Sequence, residues 1–447
     1  MQGVLMENIT NSSTLLSVAQ VAQTLGLHSD TIRRWEKKGL IKSHRDQHNY
    51  RVFSVEEVKR VHLQQLNQQV QHFEVLSVPN HTNFRSIELF AGAGGLALGF
   101  ENAGFEHSLL VEIDKTATET LSLNRPDWPV IHSDISQVDF EGYQADVVTG
   151  GFPCQAFSYA GHRLGFEDTR GTLFFEFARC IAQTRPKIVV GENVRGLLNH
   201  DGGKTLQTML SVLDELGYDT CYRVLRAQYF DVAQKRERLV IIGLHKDFVT
   251  DFAFPKEQSY IVPLRSALHR IPDSEGVKYT DKKKKIMEQI PEGGYWRDLP
   301  DSLQREYMGA SYFHGGGKTG MARRLSWDEP SLTLTCNPAQ KQTERCHPSE
   351  TRPLNVREYA RIQSFPDSWQ FSGSVNAQYK QIGNAVPVNL AFHIGRCVRA
   401  MLEGNLDSET MEIIERRSAQ KTLQNEGLEL AQNFLLRSSA VQTKLFE

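Results

Sequence analysis

The stretch I-E-L-F-A-G-A-G-G, Ile87 to Gly95, decides the fold of this chain. Its apolar start, Ile87 to Phe90, predicts a short buried strand, and the pattern after Gly95 predicts a helix to Asn102. The glycines between them allow a tight turn in which the backbone approaches a ligand closely. Strands that alternate with helices in this way predict a largely parallel α/β sheet whose ligands bind at the carboxyl ends of the strands.

Acidic residues follow the next two predicted strands. The second strand ends at Asp114, so Glu112 lies about 20 residues beyond the glycines, where doubly wound folds bind ribose hydroxyls. The third strand, Val130 to His132, leads to Asp134, whose carboxylate can accept a hydrogen bond from an exocyclic amine. A glycine turn, then an acid placed to bind ribose hydroxyls, then an acid placed to bind the amine of a base together predict a site for an adenosyl group.

A reactive thiol is predicted beside this site. Gly150 to Ser158 reads G-G-F-P-C-Q-A-F-S and follows a short apolar run that indicates a buried strand. Pro153 fixes its own φ, so it stiffens the turn that carries Cys154 at the carboxyl end of the strand. A lone cysteine is more often packed in a core, but a thiol in this place is well positioned to attack a molecule bound above the sheet.

The second half of the chain contributes basic residues. Arg236 and Arg238 alternate along an extended segment, so both side chains point to the same side of it. From about residue 245 to residue 350 the periodicity weakens and loops dominate, with a basic run from Lys282 to Lys285. This composition predicts loop-borne recognition on a rigid scaffold.

The first 80 residues predict a small domain built on two short helices. Apolar residues recur at helical spacing from Leu16 to Ala22, and a second helix is expected from Thr31 to Lys38 after a turn that contains a glycine. This is the helix-turn-helix plan, whose second helix can enter the major groove of DNA. Residues 30–51 hold seven basic residues against three acidic ones, which favours a nucleic-acid surface over a merely solvated helix face.

Composition limits the classes of function. The 447 residues carry a formal net charge of −2, so any nucleic-acid surface is local. The six cysteines are scattered, and Cys336, Cys346 and His347 have the wrong spacing for a metal site, so we expect neither a disulfide framework nor a bound metal. This cysteine usage, without a signal segment or an apolar run of membrane length, predicts a cytoplasmic protein that contacts no membrane.

Five motifs, in order and spacing, resemble those of the DNA cytosine-5 methyltransferases: E-L-F-A-G-A-G-G, V-E-I-D, S-D-I, G-G-F-P-C-Q-A-F-S and G-E-N-V. With the later segments R-P-L-N-V-R-E-Y-A-R-I-Q and Y-K-Q-I-G-N-A-V-P, the resemblance covers about residues 84–402. It implies a Rossmann-like sheet that uses S-adenosyl-L-methionine and acts on a cytosine flipped out of DNA. Glu88 stands where many members have Asp, a change of one methylene group.

The resemblance implies roles for individual residues by their positions in these motifs. Cys154 is expected as the nucleophile, Glu192 as the partner of the target base and Arg238 as the cation at its O2. Arg236 is expected to hold the cysteine region and phosphates. The residues expected to bind the cofactor are Phe90, Gly92, Gly94, Gly95, Glu112, Asp134, Pro153, Asn384 and Val386. Those expected to read DNA from the variable region are Arg323, Arg324, Lys341, Gln342 and Arg345.

A second resemblance lies at the N-terminus. Residues 17–41 and the following N-Y-R-V-F-S-V-E-E-V are similar to the DNA-binding domain of the mercury-resistance-regulator (MerR) family, over about 45 residues. This similarity implies a second helix in the groove and a small wing near residues 49–53 on the DNA backbone. Arg33, Arg34 and Arg51 are the expected DNA contacts.

These features predict an α/β methyltransferase sheet with a smaller target recognition domain and a small N-terminal winged helix-turn-helix domain. The expected segments are a helix-turn-helix domain and linker (1–80), a cofactor-binding and catalytic domain (84–245), a target recognition domain (246–350), a return segment (351–402) and a helical or disordered tail (403–447).

The predicted function is that of a DNA (cytosine-5)-methyltransferase of a restriction–modification system, monomeric in its catalytic part. Its expected partners are double-stranded DNA and, through the N-terminal domain, its own promoter or operator. Two alternatives stay open: an RNA cytosine-5 methyltransferase, and a DNA-binding transcription regulator with an inactive methyltransferase fold.

Overall fold

The structure, a computed structural model, describes residues 15–25, 27–37, 40–46, 49–55, 57–58, 61, 73–153, 173–313 and 318–419. The chain divides into two compact units, residues 1–72 and residues 73–447. The boundary therefore precedes the predicted one at residue 80. Residues 73–80 belong to the second unit, because the Val78 N–H donates to the Asn102 carbonyl and the Arg399 guanidinium donates to the Asn80 carbonyl.

The first unit combines two helices with a small sheet. Its elements are β1 (Leu15–Ser17), α1 (Val18–Leu25), α2 (Ser29–Lys37), β2 (His44–Arg45) and β3 (Arg51–Ser54). Strand β3 lies between β1 and β2 and pairs antiparallel with both. Buried Val21, Ile32 and Phe53 join the helices to the sheet. The winged helix-turn-helix prediction is confirmed, but the first helix starts at Val18, because residues 15–17 pair with β3.

The second unit is built on one seven-stranded sheet. Its first elements are β4 (Arg85–Leu89), α3 (Gly95–Asn102), β5 (Glu106–Glu112), α4 (Lys115–Asn124), β6 (Val130–His132), β7 (Val147–Gly150), α5 (Leu173–Thr184), β8 (Ile188–Val194), α6 (Lys204–Glu215), β9 (Tyr218–Arg226), β10 (Gln234–Lys235) and β11 (Glu237–His245). The strand order is β6-β5-β4-β7-β8-β11-β9, and β11 runs antiparallel to both of its neighbours. Strands β6, β5, β4, β7 and β8 are mutually parallel, which confirms the predicted α/β sheet.

Consecutive residues of the central strands enter two different cores. Val147 packs against the face that α3 and α12 (Val388–Glu403) cover, and Val148 packs against the face that α5 and α6 cover. Val240 and Ile241 of β11 divide in the same way, as the two-residue period of a strand requires. Because both faces are covered, these strands appear in the sequence as continuous apolar runs.

The rest of the unit is richer in loops. Its helices and strands are β12 (Phe252–Pro255), α7 (Leu264–Ala267), α8 (Asp281–Met287), α9 (Asp301–Met308), β13 (Ser331–Leu332), α10 (Val356–Ile362), α11 (Val375–Asn384), α12 and β14 (Met411–Ile414). Short 3₁₀ helices span Ile135–Gln137, Arg195–Gly203, Ala227–Tyr229, Trp296–Asp298, Gly309–Phe313 and Lys341–Thr343. Within the described residues, no helix has the length and apolar character needed to cross a bilayer.

The start of the predicted tail is part of the folded unit. Strand β14 pairs antiparallel with β12, and Arg416 forms an ion pair with Asp219 of β9. The expectation of a helical or disordered segment from residue 403 is therefore wrong for residues 411–414. They form a strand because their backbone pairs with that of β12. Residues 420–447 lie outside the described part of the chain.

Helices α3 and α12 approach each other closely at Gly99. A Cβ atom built at Gly99 would lie 2.3 Å from the Ala391 Cβ and 2.7 Å from the Phe392 nitrogen. Contacts this short leave no room for a methyl group between the two helices.

We expect Gly99→Ala to destabilise the second unit by about 1–3 kcal/mol, because overpacking outweighs the better helix propensity of alanine. Urea denaturation followed by tryptophan fluorescence measures the change. Gly196→Ala is the matched control, because a Cβ there meets its nearest neighbour at 3.9 Å. Equal stability of the two variants would contradict the close packing.

Candidate active site

One cavity of about 930 Å³ opens at the carboxyl ends of the parallel strands. The predicted site residues that line it are Phe90, Gly92, Gly95, Glu112, Asp134, Pro153, Glu192, Arg236, Arg238, Asn384 and Val386. Gly94 does not line it. With φ +83° Gly94 is the N-cap of α3, so its part is to turn the chain. Cys154 lies outside the described residues, and its role stays a prediction.

The carboxylate of Glu112 fastens the glycine turn to the end of β5. Its Oε2 accepts the Gly92 N–H at 2.7 Å, and its Oε1 accepts the N–H groups of Ile113 and Asp114 at 2.9 and 2.7 Å. The side chain is buried, yet it borders the cavity. Because a carboxylate oxygen can accept two hydrogen bonds, Oε2 keeps the capacity to bind a hydroxyl.

Two apolar side chains lie along the same part of the cavity. Phe90 has a φ of +60°, a conformation that costs a non-glycine residue about 1–3 kcal/mol and is concentrated at functional sites. Ile113 is 64% exposed and lines the cavity, a residue that sequence reasoning missed. Little in the sequence marks Ile113 as a cavity residue, because an apolar residue between Glu112 and Asp114 is equally compatible with a strand interior.

Asp134 stands at the rim as an exposed carboxylate. Its Oδ1 accepts the backbone N–H and the hydroxyl of Ser136, both at 2.9 Å, and so caps the turn Ile135–Gln137. These hydrogen bonds lower its pKa. The group therefore remains an acceptor over the neutral pH range.

Glu88 is a buried acid at the floor of the cavity. It is 1% exposed, and its Oε2 has no hydrogen-bond partner among the described residues. Burial raises the pKa of Glu88 well above its ordinary value, and the charge of nearby Glu112 acts in the same direction. Hydrogen bonds from the Ala97 N–H and the Thr149 hydroxyl lower the pKa, but they have a smaller effect than burial. A buried carboxyl group with an unpartnered oxygen thus borders the cavity.

The turn that leads to the predicted thiol is anchored to the end of β8. Asn193 Nδ2 donates to the Phe152 carbonyl at 2.8 Å. A Cβ built at Gly151 would lie 3.1 Å from Glu192 Oε2, so the glycine lets this carboxylate approach the turn. Phe152 is buried against the ring of Phe177. Residues 151–153 are therefore held beside Glu192.

Glu192 and Arg238 form an ion pair that borders the cavity. Arg238 Nε lies 2.6 Å from Glu192 Oε1, and each side chain is 12% exposed. Burial lowers the pKa of Arg238, and Glu192 acts in the opposite sense. Since a buried charge is costly without a partner, Glu192 stabilises the charged guanidinium of Arg238.

Arg236 is a structural residue here. It is 1% exposed and donates to the Leu334 carbonyl at 3.3 Å and the Gly383 carbonyl at 3.1 Å. Burial, with the nearby charge of Arg238, lowers the pKa of Arg236 to about 9. The expectation that it holds phosphates is therefore corrected, because the guanidinium faces inward and ties two chain segments together.

Two further cavity residues escaped the sequence analysis as site residues. Cys336 is exposed, and its Sγ donates to Asn384 Oδ1 at 3.2 Å. Lys380 pairs with Asp114 at 2.9 Å; the Thr116 hydroxyl and then Lys380 lower the pKa of Asp114 to about 2. Cys336 belongs to none of the quoted motifs, and Lys380 lies within Y-K-Q-I-G-N-A-V-P but shows its partner only in the folded chain, where it meets Asp114.

The residues expected to read DNA from the variable region divide into two groups. Arg324 and Arg345 are buried, Arg324 donating to the Met287 and Ile290 carbonyls and Arg345 to the Thr333 carbonyl. The prediction for these two is wrong, because their guanidinium groups serve internal carbonyls.

Arg323 is half-buried and donates to the carbonyls of Gly293 and Thr319. Lys341 and Gln342 are exposed.

In the first unit, the predicted DNA contacts lie together. Arg33, Arg34 and Arg51 line one depression with Lys37. Arg33 pairs with Asp30 and Arg51 with Glu36, each at 2.6 Å. The second helix and the adjoining strand therefore present one basic surface.

We expect Glu88→Gln to change the pH dependence of stability. A raised pKa in the folded state means that the folded chain retains a proton that the unfolded chain loses. Stability therefore falls as pH rises from about 4.3 towards the folded-state pKa of Glu88. The amide removes this contribution. We therefore expect the melting temperature of the variant, relative to that of the wild type, to rise as the pH is raised from 5 to 8. A constant difference across this range would show that Glu88 titrates normally.

Comparison with known proteins identifies the family. The C-5 cytosine-specific DNA methylase model matches residues 84–399, and the MerR family regulatory protein model matches residues 17–53. The type II methyltransferase M.Eco47II of Escherichia coli is 54% identical over 400 residues, 87% of this chain and 96% of that protein. M.Sau96I of Staphylococcus aureus is 54% identical over 332 residues, 72% of this chain and 77% of that protein.

Among solved structures, a prophage-encoded DNA modification methyltransferase from E. coli aligns with a TM-score of 0.52 and 23% identity over 72% of this chain and 100% of its own, which supports the fold. The family indicated by the motifs is thus confirmed. The chain belongs to the C-5 cytosine-specific DNA methylase family, and its residues 17–53 are similar to the MerR family model.

Proposed function

We propose that this chain transfers a methyl group from S-adenosyl-L-methionine to C5 of a flipped-out cytosine, as the modification enzyme of a type II restriction–modification system. The relatives at 54% identity are type II methyltransferases. One observation carries the proposal: a single cavity holds the glycine turn, two acids of an adenosyl site and the Glu192–Arg238 pair, beside the turn that leads to Cys154.

The residues present fit this cofactor. Glu112 Oε2 can accept a ribose hydroxyl, and Asp134 offers an exposed carboxylate to an exocyclic amine. The unpartnered Oε2 of Glu88 is a further hydrogen-bond acceptor at the floor of the cavity. The volume lies in the upper range of small-molecule sites, so it leaves room for a base beside the cofactor. When bound, S-adenosyl-L-methionine supplies an electrophilic methyl group on a sulfonium.

The protein side chains make C5 nucleophilic. Cytosine C5 is a poor nucleophile, and addition of the Cys154 thiolate to C6 converts C5 into an enamine-like carbon. Glu192 is expected to share a proton with N3, and the Arg238 guanidinium to face O2, where both offset the negative charge that the addition places on the ring. After C5 has taken the methyl group, it loses its proton to a base and the thiolate leaves by elimination.

Covalent trapping tests this chemistry. On duplex DNA that contains 5-fluorocytosine, the wild type with cofactor should form a stable adduct, because fluorine cannot leave as a proton does. Cys154→Ala should form none, and its methyl transfer should fall below detection. Denaturing gel electrophoresis of labelled DNA measures the adduct.

The open alternatives give different results in this experiment. A regulator with an inactive fold forms no adduct with any substrate. An RNA methyltransferase traps fluorinated RNA in preference to DNA. An unchanged adduct with Cys154→Ala would contradict the assigned nucleophile.

A second function is favoured by the first unit. We propose that this unit binds an operator upstream of its own gene or of a paired nuclease gene. The match to MerR regulatory proteins and the shared basic surface of Arg33, Arg34 and Arg51 support this proposal. The unit has its own core, which suits a separate DNA contact.

Footprinting on upstream DNA tests the operator proposal. We expect the double variant Arg33→Ala/Arg34→Ala to lose tenfold or more in operator affinity, since a good base contact contributes about 1–3 kcal/mol. Methyl transfer should be retained, because neither residue belongs to the cavity. A wild-type chain without an upstream footprint would refute the proposal.

A further inference from the structure

A lysine-rich segment of the recognition region has no part in the site described above. Residues 278–285 hold five lysines and one aspartate, in a chain whose formal net charge is −2. Helix α8 forms most of this segment. Its charge is therefore a local feature of the surface.

The core of the region orients this helix. Ile286 and Met287 are buried with Trp296 and Tyr307 in one apolar cluster. The helix therefore turns its opposite side to solvent. Four lysines of the segment are exposed: Lys282, Lys284 and Lys285 on the helix, and Lys278 before it.

Lys283 differs from its neighbours. Its Nζ lies 2.6 Å from Glu344 Oε2 and donates to the Ala339 carbonyl, also at 2.6 Å. Glu344 is fully buried, so Lys283 neutralises an internal charge. Removing this one lysine would damage the fold, whereas its exposed neighbours can be changed without that effect.

These contacts tie the lysine helix to a segment that reaches the cavity. Ala339 follows Cys336, which lines the cavity, by three residues. Three residues span at most about 11 Å. At the other end of α8, Arg324 donates to the Met287 carbonyl at 2.7 Å. Helix α8 is therefore fixed at two points, one of them on the segment that continues to the cavity-lining Cys336.

We propose that the exposed lysines of this segment, chiefly Lys284 and Lys285, contact phosphates of the duplex that flanks the target cytosine. The inference rests on the proposed function. A duplex carries one negative charge for about every 1.7 Å of its axis, so a duplex that delivers a base to the cavity also brings phosphates to the protein surface around it. Neither lysine forms an ion pair within the described residues, whereas Lys282 pairs with Glu306 at 3.3 Å. Both ammonium groups therefore remain available to an anion.

The salt dependence of DNA binding tests this assignment. The probe is a duplex of about 30 base pairs that carries the site mapped by bisulfite sequencing of host DNA, bound by the full chain. For Lys284→Gln/Lys285→Gln we expect the slope of log K against log salt concentration to fall by about one unit per lysine. The affinity should fall by a similar factor for a duplex without the site, and Lys284→Arg/Lys285→Arg should restore it.

Lys187→Gln/Lys246→Gln is the matched control. Lys187 precedes β8 and Lys246 follows β11, at the edge of the sheet opposite the cavity, and each pairs with an aspartate. This variant also loses two lysine charges, but we expect its slope to equal that of the wild type. Equal slopes for all variants would overturn the proposal, and so would a loss confined to the duplex that carries the site, which would indicate base reading.

The two proposals fail in different ways. If the wild type transfers no methyl group to DNA, the proposed function fails. If the wild type is active and Lys284→Gln/Lys285→Gln keeps the wild-type slope, only the phosphate contact fails.

Discussion

The buried pair of Glu192 and Arg238 is the interaction on which the site depends. Strand β8 ends at the cavity and delivers Glu192 there, whereas β11 runs in the opposite direction and so begins there with Arg238. In the register of the two strands, Val240 faces Glu192 and Arg238 lies two residues along, on the same face of the sheet. One reversed strand therefore brings a cation to the end of the sheet where the parallel strands place Glu112 and Glu192.

The same edge is held together by backbone contacts of charged groups. Glu112 binds three N–H groups of the glycine turn and the β5 end, and Arg236 joins the carbonyls of Leu334 and Gly383. Each of these charges satisfies backbone groups that irregular segments leave without ladder partners. The cavity is consequently preorganised by residues that also border it.

Residues 246–350 extend this principle. Loops dominate this segment, and loops leave carbonyl groups that need donors. Arg324 supplies donors to several of them from a buried position, and Lys283 neutralises the buried Glu344. Some basic residues of this segment are therefore buried and bind internal groups, whereas others lie on the surface. The charge of a residue in the sequence does not tell which of the two it does.

The sequence by itself determined the sheet, the glycine turn, the acids Glu112 and Asp134 and the cation Arg238 that border the cavity, because these depend on local periodicity and on motifs that are continuous in the chain. It also determined the two helices of the N-terminal unit. Only the tertiary structure decided that Arg236, Arg324 and Arg345 face inward, and that Cys336 and Lys380 reach the cavity. The physical reason is that burial and partner choice depend on segments distant in sequence: Cys336 lies 48 residues from Asn384, and Lys380 lies 266 residues from Asp114.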